Sequence, residues 1–165
     1  MKLAAALAAA LTCALWAPHA PAQTDGGSLY VSEGVVSNAW ADPAKCNLRV
    51  ARRLGVAEAV RRVDSDYGQC VAIPAYVGDH EVFATRLDRA MARANTRSTR
   101  DGNLGFYAKN SVRKRALRHP RTRYWVVGQL SECRRAWPDA MVMGYCHYAA
   151  SPAPFLIVAE IRRDR

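Results

Sequence analysis

The sequence predicts a small, mainly β domain with added helices (α+β), its antiparallel strands closed into a barrel and braced by two disulfides. Three observations lead there. From Gly68 onward the chain is a succession of short runs rich in β-branched and aromatic residues, among them "GQCVAIPAYV", "RYWVVGQL" and "FLIVAEIR", which is the composition of half-buried strands. Helical spacing of apolar residues is confined to two or three stretches. Once an N-terminal leader is set aside, four cysteines remain, Cys46, Cys70, Cys133 and Cys146, an even number that reads as two bridges in an exported chain.

The leader is read from its own pattern. Lys2 precedes the apolar run "LAAALAAALTCALWA" and then "PHAPAQ", so a basic start, a short apolar core and a small-x-small end predict a secretory signal over 1–22, cleaved before Gln23. A lipoprotein reading of Cys13 is disfavoured by Leu11 and Thr12 ahead of it and by an apolar run that continues to Trp16. The expected location is periplasmic or secreted. No later run approaches the roughly 18 apolar residues of a membrane helix. Residues 23–165 have the size of a single domain that buries its own core. Four cysteines allow three connectivities, and nearness in sequence favours Cys46 with Cys70 and Cys133 with Cys146.

The elements follow in order. "QTDGGS" reads as a flexible mature N-terminus, and "LYVSEGVVSNAW" reads as a strand with a bulge at Gly34. "ADPAKC" is a turn. "NLRVARRLGVAEAVRRV" places apolar residues at 50, 54, 57, 60 and 63, predicting a helix capped by Asn47 and weakened at Gly55. "GQCVAIPAYV" and "HEVFATR" form two strands joined through Gly78-Asp79, a hairpin signal, with Pro74 expected at an edge or bulge. "RLDRAMARAN" reads as a short helix, "TRSTRDGN" as a loop and "LGFYAK" as a strand. "NSVRKRALRHP" reads as a helix capped by Asn110 or Ser111 and stopped at His119-Pro120. "RYWVVGQL" is the clearest strand. "AMVMGYCHY" and "FLIVAEIR" are two more, separated by "AASPAP". The first of these would form a hairpin clamped at its base by Cys133–Cys146, with strand alternation placing Tyr145, His147 and Ala149 on one face and Cys146 and Tyr148 on the other.

From Gly68 the order is strand, strand, strand, helix, strand, strand. In that order residues 68–165 resemble exported OB-fold-like domains, five-stranded Greek-key barrels with a helix between the third and fourth strands; a small antiparallel β-sandwich fits the same strands. The resemblance implies a binding module for oligonucleotides, oligosaccharides or proteins.

Charge narrows this. The formal net charge is +10, and between Arg86 and Arg123 twelve Arg and Lys residues face two acids, Asp88 and Asp101. Such a stretch makes a basic face attractive to an anionic partner, whether oligonucleotide, glycan or acidic protein. The plain alternative is a solvated surface in an arginine-rich chain, with arginine outnumbering lysine 20 to 4. The expected ligand-facing set is Arg113, Lys114, Arg115, Arg118, Arg121 and Arg123, with Tyr107 or Trp125 stacking on the ligand. Trp40, Trp125, Trp137, Tyr145 and Tyr148 are candidates to line a groove on which bases or sugar rings stack, against the expectation that Trp125 and Tyr145 or Tyr148 fill the barrel.

Catalytic and metal motifs are absent. The pair Cys146-His147 offers no free thiolate if Cys146 is bridged. His80, His119 and His147 lack metal-ligand spacing, and there is no Gly-x-Ser-x-Gly elbow or phosphate-binding glycine motif. Asp79, Glu81 and Glu160 are unmarked carboxylates. No catalytic residue, metal or cofactor is therefore assigned. A protein-interaction or inhibitor module and a small secreted hydrolase using His147 or Glu160 stand as the other readings.

Overall fold

The computed structural model describes residues 30–32, 35–94, 103–138, 140–149 and 153–164. The leader, Gly34, "QTDGGS" and most of "TRSTRDGN" lie outside them. Nine strands and five short helices are present among the described residues: β1 (Tyr30–Ser32), β2 (Val35–Asn38), β3 (Arg52–Arg53), α1 (Val56–Arg61), β4 (Cys70–Val77), β5 (Glu81–Phe83), α2 (Arg86–Arg93), β6 (Asn103–Tyr107), α3 (Asn110–Leu117), β7 (Arg123–Glu132), α4 (Cys133–Ala136), β8 (Met141–Val142), α5 (Tyr145–Tyr148) and β9 (Pro154–Arg163).

Five strands close into a barrel in the order β4-β5-β6-β9-β7, with β7 returning to β4 and β3 added as an extra strand on β4. β6 and β9 pair in parallel and the other barrel contacts are antiparallel. With α3 between β6 and β7, this is the OB-like connectivity. Period-two alternation sends Val71, Ile73, Ala75 and Val77 inward from β4, where they meet Leu104, Phe106, Val126, Leu130 and Leu156. The barrel bends where β7 passes β9. Val127 pairs with Glu160 and Gly128 with Val158, so Ala159 is the extra residue of a bulge. A Cβ on Gly128 would meet the Ile157 carbonyl oxygen at 2.5 Å, which is why this strand carries glycine there.

Local chemistry explains the element boundaries. Pro74, expected at an edge or a bulge, lies at neither: β4 has partners on both flanks and its register with β7 is unbroken. The Ala72 carbonyl accepts from Leu54 and the Gly78 N–H donates to Glu81 on one flank of β4; Pro74 faces that same flank, between the β3 and β5 pairings, so its missing N–H costs no ladder bond. The second strand is shorter than "HEVFATR" because Thr85 and Asp88 form a capping box that starts α2. The helix expected over 47–63 is reduced to α1, with Gly55 as its N-cap residue. Before it, residues 47–51 form a turn in which Ala51 donates to the Asn47 carbonyl. The run "LYVSEGVVSNAW", expected as one bulged strand, contains instead two strands, β1 and β2, that pair antiparallel.

The two disulfides join Cys46 to Cys70 and Cys133 to Cys146, but the second does not clamp a hairpin. Gly144 has φ +86°, which breaks the extended run, and the chain turns helically through α5, with the Ala149 N–H donating to the Tyr145 carbonyl. Alternation does not apply there. The described residues between 133 and 153 form a lobe closed at its neck by Glu132, whose carboxylate accepts from the Arg135 and Ala153 N–H groups. β8 joins this lobe to β2 in parallel.

The lobe builds a second core on the outer face of β6 and β9. Tyr107 and Phe155 meet Trp137 there in three ring contacts of 4.9 to 5.3 Å. The Tyr107 hydroxyl donates to the Met143 carbonyl and accepts from the Cys146 N–H. Tyr145 lies flat on Gly105 of β6, where a Cβ would overlap its ring. The aromatic residues inside the barrel are Phe106 and Tyr124. Trp125 is half-buried on the outside, and neither Tyr145 nor Tyr148 fills the barrel.

The contact between Tyr145 and Gly105 predicts that Gly105→Ala lowers stability by about 1–3 kcal/mol through overpacking. In a Tyr145→Ala background the same change should cost much less, as a denaturant double-mutant cycle would show.

Candidate functional site

Helix α3 covers the end of the barrel at which β7 begins and β9 ends. Ala116 is buried, and Val112 and Leu117 pack on the core that contains Tyr124 and Ile161. The residues between them point outward, so Lys114, Arg115 and Arg118 are exposed, as is Arg121 after the helix. Neither Asn110 nor Ser111 caps α3; its N-cap residue is Lys109, which makes no side-chain cap bond. The cations stay unneutralised for a reason visible in the sequence, since no Asp or Glu occurs from residue 102 to 131. Among the described residues, Lys114, Arg115, Arg118, Arg121 and Arg163 have no ion-pair partner, whereas Arg123 pairs with Asp164 at 3.7 Å. A cleft of about 310 Å³ opens beside the helix, its floor Ala116, Tyr124 and Ile161, its rim Arg115, Arg118, His119 and Arg163.

The other flank of α3 faces the loop between β4 and β5. Arg113 donates from Nη1 to the Asp79 carbonyl at 3.3 Å and from Nη2 to Asn110 Oδ1 at 3.4 Å. Both distances exceed the usual range, and its buried Nε has no partner among the described residues. Burial, and then the Arg113 charge, hold the His80 imidazole below its ordinary pKa. A second cleft, of about 400 Å³, lies here between His80, α3 and the lobe, and its lining includes Asn38, Asn110, Arg113, Met143 and Tyr148. At its edge the Lys109 ammonium sits 5.0 Å from the centre of the Trp40 ring.

Of the residues expected to face a ligand, α3 gathers Arg113, Lys114, Arg115 and Arg118, with Arg121 and Arg123 following. The two aromatics do not join them. Tyr107 is 5 % exposed within the second core, and the outer face of Trp125 carries the Arg53 guanidinium at 5.4 Å. Arg163, His119 and His80 were not assigned from sequence, and Tyr148 was a groove candidate with the core as its favoured place. Arg163 joins the cations of α3 through β9, which runs antiparallel to β7 and sets it opposite Tyr124.

The carboxylates have other work. Glu160 accepts from the Leu48 N–H and from Arg162, fixing the segment before β3 to the barrel wall. Glu81 accepts from Asn103 at 2.6 Å. His147 is exposed, edge-on to Tyr148, and Cys146 is bridged. Among the described residues no three His, Cys, Asp or Glu side chains gather as for a metal ion, and no helix is long and apolar enough to cross a membrane.

Burial raises the Glu81 pKa above its ordinary value of 4.5, against the lowering by Asn103, and burial with the Glu81 charge pushes Tyr145 up to about 12. The native state thus holds the Glu81 proton more tightly than the unfolded chain. The resulting stability is present below pH 4.5 and lost as pH rises through the native value. Glu81→Gln, which keeps an acceptor for Asn103, should flatten that decline in urea midpoints measured from about pH 4 upward. Comparison with family models, with curated proteins and with solved structures finds no match for the chain.

Proposed function

We propose that the protein is an exported binding module that takes an anionic ligand, an oligonucleotide, a glycan or an acidic protein, on the α3 end of its barrel. One observation carries this reading: Arg115, Arg118 and Arg163 stand without an ion-pair partner among the described residues around a cleft whose lining holds no acid, and Lys114, equally unpaired, lies with Arg118 on the neighbouring face of α3. Bringing cations together raises the free protein's electrostatic energy, and a bound polyanion relieves it while releasing counterions. Arg113 acts differently, tying α3 to the Asp79 carbonyl. The two disulfides are compatible with an oxidising compartment, in keeping with a leader over 1–22. A hydrolase has thinner support, since Glu160 is committed to a structural contact.

Four phosphate-like contacts predict a slope of about −3 in log affinity against log salt for a flexible polyanion. Lys114→Glu with Arg118→Glu should weaken binding at least tenfold and make the slope shallower. Stability should stay within about 0.5 kcal/mol of the parent, because both side chains are exposed. Titration with a polyanion panel at low and moderate salt checks this, and absence of binding to every member at low salt refutes it.

A further inference from the structure

We infer that the anionic ligand is an acidic oligosaccharide, with one sugar ring held against Tyr148 in the cleft beside His80 and its charges continuing along Lys114 and Arg118. This rests on the anion-binding reading above and narrows it. The cleft and the basic row are continuous. Asn110 lines the cleft, and Asn110, Lys114 and Arg118 follow at i, i+4 and i+8, about 6 Å apart per step on one side of α3.

The chemistry of the cleft suits a sugar. Tyr148 is 81 % exposed, and its backbone stands two residues after bridged Cys146, so the lobe presents an aromatic ring to solvent at the mouth of the cleft. A pyranose packs its C–H face on such a ring while its hydroxyls need donors and acceptors around the rim. Asn38, Asn110 and His80 supply both kinds, and Arg113 adds a guanidinium whose hydrogen bonds are long or missing. A volume of about 400 Å³ falls in the range of small-ligand clefts.

A nucleic acid fits less well, because sequence-tolerant binding of single strands uses successive aromatic platforms along a basic groove. Tyr107 and Tyr124 are buried, and Trp125 and Trp40 already carry Arg53 and Lys109. Among the described residues that leaves Tyr148 beside α3, exposed and with only the His147 ring edge-on to it. The outer face of β6 offers no platform either, since Tyr145 already lies on Gly105.

The test is calorimetric titration of the disulfide-intact protein with oligogalacturonate, inorganic polyphosphate and oligothymidylate of matched charge number. Oligogalacturonate should bind at least tenfold more tightly than polyphosphate. Tyr148→Ala and Asn110→Ala should each erase most of that preference and leave polyphosphate affinity unchanged. Lys114→Glu with Arg118→Glu should weaken all three. Equal affinity for oligogalacturonate and polyphosphate, with the salt slope retained, rejects the sugar site but keeps the anion site. Tightest binding of oligothymidylate, lost in Tyr148→Ala, overturns it in favour of nucleic acid, and failure of all three probes removes both readings.

Discussion

Closure of the barrel between β4 and β7 is the constraint on which the rest depends. The ladder from Cys70–Gln129 to Tyr76–Arg123 satisfies backbone groups that would otherwise form an open edge. It also shuts Phe106, Ile73, Leu104, Leu130 and Leu156 into a filled interior. Side chains fill the barrel among the described residues, so the clefts described above lie on its outside. Gly128 and the bulge at Ala159 make the curvature possible, and the bulge changes the parity of β9 so that Ile161 faces inward as Leu156 and Val158 do.

The outside is divided between two uses. Around β6 and β9, β2, β8 and the disulfide-held lobe form a second apolar layer centred on Tyr107, Trp137 and Phe155. That layer consumes the sheet face, leaving the barrel end and the rim of the lobe for contact with other molecules. At the barrel end α3 buries a narrow stripe of Val112, Ala116 and Leu117 and gives the remainder of its circumference to cations. Arg113 is the joint between the two regions, since its guanidinium reaches the hairpin loop from the flank of the helix that faces the lobe.

Much of the barrel was legible because its strands are short, β-branched and separated by turn residues. Gly78-Asp79 marked the hairpin, and sequence proximity gave the disulfide partners. What escaped notice depended on contacts distant in sequence. The alternation of "LGFYAK" exposes Tyr107 on the outer face of β6, and nothing local says that a second layer covers that face. The run "AMVMGYCHY" has strand composition, and only the positive φ at Gly144 turns it into a helical lobe. The spacing at 50, 54, 57, 60 and 63 fits a helix over its whole length, yet Gly55 divides it and the first part docks as a turn against Cys46 and Glu160. For the candidate site, the cations of α3 were visible as a charge run. Their convergence with Arg163, and the placing of Tyr148 near His80, exist only after β9 and the lobe are in position.

The order of pairing also sets how this chain reaches its native state. Phe155 must find Gly105 and Met141 must find Val35, so the decisive contacts are non-local and slow to form. Both bridges, by contrast, span short segments of 24 and 13 residues. Once oxidised they reduce the entropy of the unfolded chain in the two regions the barrel must bring together. β9, flanked by β6 and β7, completes two ladders at once. Without that strand, the remaining four barrel strands would form an open sheet with two unpaired edges, on β6 and β7.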